Sequence, residues 1–214
     1  MYVLGDLFDS WIGDDQLAEE MPAQVAKGLR AVADAGVPVG IIVGNRDFAL
    51  GRRFADAAGA TLLPEQIVVD VAGVPTLLMH GDELCTSDRA YQRFRRLIRN
   101  PVVQRSLLAL PYALRKAMAS GLRRKSREAT AAKPETILDV EPRAVEAALR
   151  QANVTRIVHG HTHRPARHRL QVDGRDCERW VLADWYDSGS YLELDAEGGR
   201  KRKVLAPSEG SLEN

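Results

Sequence analysis

The chain has 214 residues, enough for one globular domain with a substantial core, and its 45% hydrophobic and 28% charged content argues against disorder. Its 30 lysines and arginines nearly balance 29 acidic residues, so the net charge of +1 selects no class of partner. Cys85 and Cys177 are too few for a disulfide framework and fit a reducing cytosol; with no signal-peptide pattern and no bilayer-length apolar run, a soluble or membrane-surface protein is expected.

Met1 is followed at once by Tyr2-Val3-Leu4, a short apolar run that reads as a buried strand ending in Gly5-Asp6. After a polar loop, Pro22 stands where a first helical turn tolerates it, and Val25, Leu29 and Val32 form a helical stripe that Gly36 ends. Val39 to Val43, between Pro38 and Gly44, has the pattern of a strand covered on both faces. Residues 52–58 read as a helix, and 66–71 and 76–79 as strands around a turn at Gly73. Residues 87–127 are helical in pattern, with breaks expected at Pro101, Pro111 and Gly121. A helix over 142–152 and a strand over 156–158 come next, and the tail alternates as strands at 166–172, 179–183, 190–194 and 201–205. Residues 207–214 are expected to fray. Strand–helix alternation followed by strands points to a layered α/β domain over 1–214.

The residues suited to chemistry stand directly after the apolar strands. Asp6 comes after the strand at 2–4, Asn45 after 39–43, His80 after 76–79, and His161 and His163 after 156–158. Loops at the carboxyl ends of neighbouring strands lie side by side in α/β sheets, so residues far apart in sequence can share one site there. One carboxylate, one amide oxygen and three imidazoles suit a pair of Mn²⁺, Fe²⁺ or Zn²⁺ ions better than a structural zinc. A carboxylate such as Asp6 can bridge two ions that activate water and hold a phosphoryl group. Each element also has a plainer reading: Gly5-Asp6 is a common turn, and His80 in His80-Gly81-Asp82 could be a hydrogen-bonded core histidine. His159-Gly160-His161-Thr162-His163 is the strongest single signal, with His161 and His163 on one side of a β-like segment.

Between Asp88 and Glu128 there is no acidic residue, yet twelve lysines and arginines fall there, among them Arg95, Arg99, Arg115, Lys116 and Arg123. Val102, Val103, Leu107, Leu108, Leu110, Leu114 and Met118 place apolar surface between them. Such a segment can lie at an anionic bilayer, each cation contributing about 1 kcal/mol near the surface. It could also be a solvated helical face or a nucleic-acid patch, although Phe94 and Tyr112 are its only bulky stacking aromatics besides Tyr91.

In spacing and wording, Gly5-Asp6, Gly44-Asn45-Arg46-Asp47, His80-Gly81 and Gly160-His161-Thr162-His163 resemble the blocks of the calcineurin-like metallophosphoesterase superfamily. Within it, residues 5–15, 44–48, 80–86 and 159–165 resemble the UDP-2,3-diacylglucosamine diphosphatase family of lipid A biosynthesis, with similarity over nearly the whole chain. The resemblance implies a two-sheet β-sandwich flanked by helices, with 87–134 as a helical lid inserted in it. It also implies hydrolysis of the pyrophosphate of UDP-2,3-diacylglucosamine to UMP and 2,3-diacylglucosamine 1-phosphate, with a Mn²⁺ pair. By matching positions, Asp6 would bridge the ions, Asn45, His80 and His161 would complete one site, and His163 would serve the other. Asn45, Arg46 and His161 would be catalytic, Arg46 clamping phosphate oxygens. These three, with Asp88, Ser126, Thr130 and Lys133, would contact the substrate. The family works on the cytoplasmic face of the inner membrane, peripherally bound; no nucleic acid and no obligate protein partner are implied.

The family's opening Asp-x-His block is absent from this chain. The expectation is that the first strand of the sheet is missing, that a working protein begins about 35 residues upstream, roughly one strand and one helix, and that an exposed sheet edge results. One ion would then keep only Asp6 and His163 and bind weakly. Two other readings stay open: another calcineurin-like phosphoesterase, or a metal-poor protein that binds the glycolipid without turning it over.

Overall fold

A computed structural model describes residues 1–131, 139–186, 189–194 and 200–204, with side chains described for 1–124, 139–186 and 189–194. Strands β1 (Tyr2–Leu4), β2 (Val39–Ile42) and β3 (Ala60–Leu62) form a parallel sheet in that order. A 3₁₀ turn (Asp14–Ala18) and helix α1 (Glu20–Asp34) connect β1 to β2, and α2 (Arg52–Ala58) connects β2 to β3. Next come β4 (Gln66–Val71) and β5 (Val74–Met79), a hairpin, and then three consecutive helices. These are α3 (Arg89–Ile98), α4 (Pro101–Leu108) and α5 (Tyr112–Ala131). Helix α6 (Pro142–Ala152), β6 (Arg156–His159), β7 (Ala166–Val172) and β8 (Arg175–Val181) complete a five-stranded sheet of order β4-β5-β6-β8-β7, in which β5, β6 and β8 run parallel. β9 (Ser190–Leu194) and β10 (Arg200–Val204) pair antiparallel.

The two larger sheets stack. Leu4 and Ile42 of the first meet Leu78 and Val158 of the second in one buried cluster between them. On the outer side of the first sheet, Val39 and Ile41 pack with Ala26 of α1, Phe54 and Ala58 of α2, and the ring pair Phe8–Trp11. On the outer side of the second, Leu77, Met79 and Ile157 pack with Val145, Ala148 and Leu149 of α6. Helix, sheet, sheet and helix thus form successive layers, the expected two-sheet α/β sandwich. Every residue of β2 and of β6 is buried, because each strand is covered on both faces. Both cysteines are buried. Among the described residues, no helix is long and apolar enough to cross a membrane.

Three expectations are corrected. Gly121 does not break the last of the three consecutive helices, since α5 runs through it; an interior glycine costs about 1 kcal/mol, less than the twenty-residue helix around it recovers. Strand β3 was not expected, because three residues carry too little alternation to read. The strand expected at 179–183 occupies Arg175–Val181 instead, in a hairpin with β7 whose turn is Asp173-Gly174, both at positive φ.

Candidate metal centre

The parallel pairs β1–β2 and β5–β6 belong to different sheets, yet their carboxyl ends open on one edge of the sandwich. Asp6, His80 and His161 lie just past β1, β5 and β6, and their ligand atoms all fall within 4.8 Å of one another. Asn45, beyond β2, brings its Oδ1 to 3.0 Å from His80 Nε2 and 2.9 Å from His161 Nδ1. His80 Nε2 is also 3.6 Å from Asp6 Oδ1.

Close approach of loops makes this possible. Gly5 adopts φ +85°, and a Cβ there would lie 2.5 Å from His80 Nδ1 and 2.6 Å from the Gly44 Cα. A Cβ on Gly44 would overlap the Asp6 carboxylate. Asp47, fully buried, stitches the two loops: its Oδ1 accepts the Gly44 N–H at 2.6 Å and its Oδ2 the Leu7 N–H at 2.7 Å. Burial, with Asp6 nearby, raises the Asp47 carboxyl above its ordinary value.

The tautomer of His80 is set by its neighbours. Its Nδ1 lies 2.8 Å from the Leu4 carbonyl, which can only accept, so in the neutral, ligating form of the ring the proton sits on Nδ1 and Nε2 offers a lone pair. That lone pair faces Asn45 Oδ1 and Asp6 Oδ1, two further acceptors at 3.0 and 3.6 Å. Three acceptors converging without a proton between them repel one another, and a cation turns the same geometry into a binding site. The residues therefore fit a divalent metal ion, and the oxygen and imidazole donors suit a borderline one. Burial, with His80 beside it, pushes the His161 imidazole down to about 3, so it stays neutral, the form that ligates.

The other predicted residues distribute differently. His161 and His163 were expected on one side of a β-like segment; both instead adopt positive φ (65° and 55°), which ends strand alternation. His163 lies outside the Asp6–His80–His161 cluster, with Nδ1 3.3 Å from Asp184 and its ring 6.2 Å from that of Tyr186. His159 stays on β6, fully buried, accepting from Arg179 at 3.2 Å, so it belongs to the core. Arg46 reaches the cluster: its N–H donates to Asp6 Oδ1 at 3.0 Å, and its Nε lies 3.4 Å from Asp6 Oδ2. Asp88 is buried and caps α3, accepting the Tyr91 N–H at 3.0 Å. Ser126 and Thr130 fall on α5 where only the backbone is described, and Lys133 lies outside the described residues.

Several residues at the site went unread in the sequence. Tyr91 of α3 stacks on His161, with centroids 6.1 Å apart, and donates to Asp82 at 2.5 Å. Burial alone would raise the Asp82 carboxyl, but His80, Arg95 and Tyr91 hold it at about 2. Asp9, Asp184 and Tyr186 also stand here, and no motif marks the last two. Asp47 and Asp82 carried a signal, as the last letters of Gly44-Asn45-Arg46-Asp47 and His80-Gly81-Asp82, and Asp9 lies in the block at 5–15.

No family model matches the chain. Among solved structures, an archaeal phosphodiesterase is 12% identical, with a TM-score of 0.40 over 87% of this chain and 94% of that one. Vps29 of Entamoeba histolytica is 14% identical, with a TM-score of 0.35 over 95% of this chain and 96% of that one. These superpositions are loose. Sequence relatives are much closer. A protein named UDP-2,3-diacylglucosamine hydrolase from Xanthomonas oryzae pv. oryzae is 49% identical over 205 residues, covering 92% of this chain and 83% of its own. Proteins of the same name from Pseudomonas paraeruginosa and Cellvibrio japonicus are each 48% identical, covering 94% and 92% of this chain and 83% and 82% of theirs. With such likeness along almost its whole length, the chain belongs to the UDP-2,3-diacylglucosamine hydrolase family.

Proposed function

We propose that this chain hydrolyses the pyrophosphate bond of UDP-2,3-diacylglucosamine, releasing UMP and 2,3-diacylglucosamine 1-phosphate in lipid A biosynthesis. The observation that carries the reading is the convergence of acceptors on Asp6, Asn45 and His80, beside His161, in a chain of this family.

A divalent pair, taken here as Mn²⁺, supplies positive charge to a water molecule and to the phosphoryl oxygens when bound. Asp6, Asn45, His80 and His161 would hold one ion, and Asp6 with His163 would serve the other. In the reaction a water oxygen bonds to one phosphorus, the bridging P–O bond breaks with its electron pair on the departing phosphate, and the proton lost by the water passes to solvent. Arg46, held against Asp6, places its guanidinium on the phosphate oxygens as charge builds there. Asn45 and His161 position the reacting group, while Asp88, Ser126, Thr130 and Lys133 receive the nucleotide-sugar head. Residues 87–134 act as a lid inserted in a single domain over 1–214. Leu97, Val102, Leu108, Leu114, Met118 and Leu122 are exposed there and offer apolar surface for acyl chains and for peripheral contact with the cytoplasmic face of the inner membrane.

A second reading, glycolipid binding without turnover, is favoured by the position of His163 outside the three-residue cluster. Release of UMP from UDP-2,3-diacylglucosamine separates the two. The expected result is release that a chelator stops and added Mn²⁺ restores. Binding of the glycolipid with no UMP under any divalent ion would overturn the hydrolytic reading for this chain.

A further inference from the structure

One carboxylate at the rim of the site gathers three partners from three separate parts of the chain. Asp9 Oδ1 lies 2.9 Å from Arg46 Nη1 and accepts the Tyr186 hydroxyl at 2.7 Å. Asp9 Oδ2 lies 2.6 Å from Arg123 Nη2. Arg46 follows β2 and also touches Asp6 and the Tyr186 hydroxyl; Arg123 belongs to α5; Tyr186 follows β8. Two guanidiniums and a phenol on a single carboxylate are more than an isolated surface pair, because each contact restricts the side chains that the others use.

The remaining anchors of α5 do not reach the site. Arg115 pairs with Asp15 and donates to the Ile12 carbonyl, while Tyr112 and Lys116 both engage Glu19 at 2.5 and 2.6 Å. These three sit in the first turns of the helix and grip the loop around the 3₁₀ turn. Arg123 lies two turns further on, and among the described residues its pairing with Asp9 is the contact that joins this part of α5 to a residue touching Asp6.

We propose that Asp9 is a positioning residue that couples the seating of α5 to the pose of Arg46, so that lid closure and placement of the phosphate-clamping arginine are one event. Its partners, Arg46, Arg123 and Tyr186, all face it directly. When α5 lifts, Arg123 leaves Asp9, and one of the contacts that orient Arg46 loosens with it. The role given to Arg46 rests on the hydrolytic reading above; the coupling itself does not.

Asp9→Asn keeps the shape and removes the charge. Amide hydrogen exchange on the substrate-free protein, with and without this change, tests the coupling without reference to any reaction. Exchange over residues 117–124 is expected to rise about fivefold, as befits loss of the one part-exposed ion pair that holds this part of α5, while β5 and β6 stay unchanged. Arg123→Gln should give the same increase, and Asp9→Asn combined with Arg123→Gln no more than either alone. In turnover, Asp9→Asn and Arg123→Gln should each lower kcat more than they raise KM, and Asp9→Glu should restore part of the loss. Unchanged exchange in 117–124 would overturn the proposal, as would additive effects of the two substitutions. Coupled exchange in a protein that releases no UMP would leave the latch standing and remove the reaction assigned to Arg46.

Discussion

At the strand ends, Asp6, Asn45 and His80 are held by backbone groups and by buried side chains: the Leu4 carbonyl fixes His80, and Asp47 ties the two loops through two main-chain N–H groups. Along α3 and α5 the attachments are mostly guanidinium–carboxylate pairs between helix and body. Arg95 meets Asp82, Glu65 and Glu83, Arg99 meets Glu65, and Arg115, Lys116 and Arg123 meet Asp15, Glu19 and Asp9. Among the described side chains, five of the twelve cations in the acid-free stretch thus answer carboxylates of the same chain, while Arg89, Arg93, Arg96, Arg105 and Arg124 are exposed. The difference teaches how each region uses its polar groups. Buried contacts hold ligands still, whereas part-exposed pairs let helices seat and lift at small cost.

The sharpest test of the rigid half is Asn45→Ala. Turnover should fall by about 10³-fold or more while the unfolding midpoint barely moves, because Asn45 is proposed to supply a ligand oxygen and packs no core. Retained UMP release would take Asn45 out of the site.

Stability should reside in the same half. Arg156 and Glu178, both buried on neighbouring strands β6 and β8, pair at 2.5 Å, and Arg167 adds a contact at 2.8 Å. Glu178→Gln leaves a buried guanidinium uncompensated and is expected to cost about 3 kcal/mol in chemical denaturation at neutral pH. Burial alone would raise the Glu178 carboxyl, but Arg156 and Arg167 hold it below its ordinary 4.5. A depressed carboxylate contributes stability above its ordinary value and loses it as pH falls, so the gap between variant and wild type should narrow below about pH 4.5. A gap that persisted into strong acid would mean that charge pairing is not its source.

The smallest effect concerns α5. Raising salt from ~0.05 M to ~0.5 M should speed amide exchange in 112–124 about threefold and leave β6 unaffected, since screening reaches part-exposed pairs and not buried ones. Equal acceleration in both would erase the distinction drawn between the two regions.

Much of the rigid half was legible because apolar strands end visibly. Tyr2 to Leu4, Val39 to Ile42 and Val74 to Met79 each stop at or just before a glycine or a histidine, and the residue of interest stands there. Backbone handedness was not legible: nothing in His161-Thr162-His163 announces the positive φ values that part the two imidazoles. Nor was the attachment of α5. Arg123 and Asp9 are distant in sequence, and a surface ion pair leaves no periodic trace, so nothing in the run of arginines announced that part of it answers carboxylates of the same chain. Asp88, carried over as a substrate contact, also caps α3, a role not read from the sequence.

The meeting of Gly5, Gly44 and the Asp6 carboxylate makes two stretches of sequence behave as one position. One extra carbon on Gly44 would act not as a local crowding but as displacement of the Asp6 carboxylate, and one on Gly5 would press on the His80 ring and the Gly44 backbone. Variation there is thus felt at the centre itself, and the tolerance of each loop to change is set by its neighbour rather than by its own surroundings.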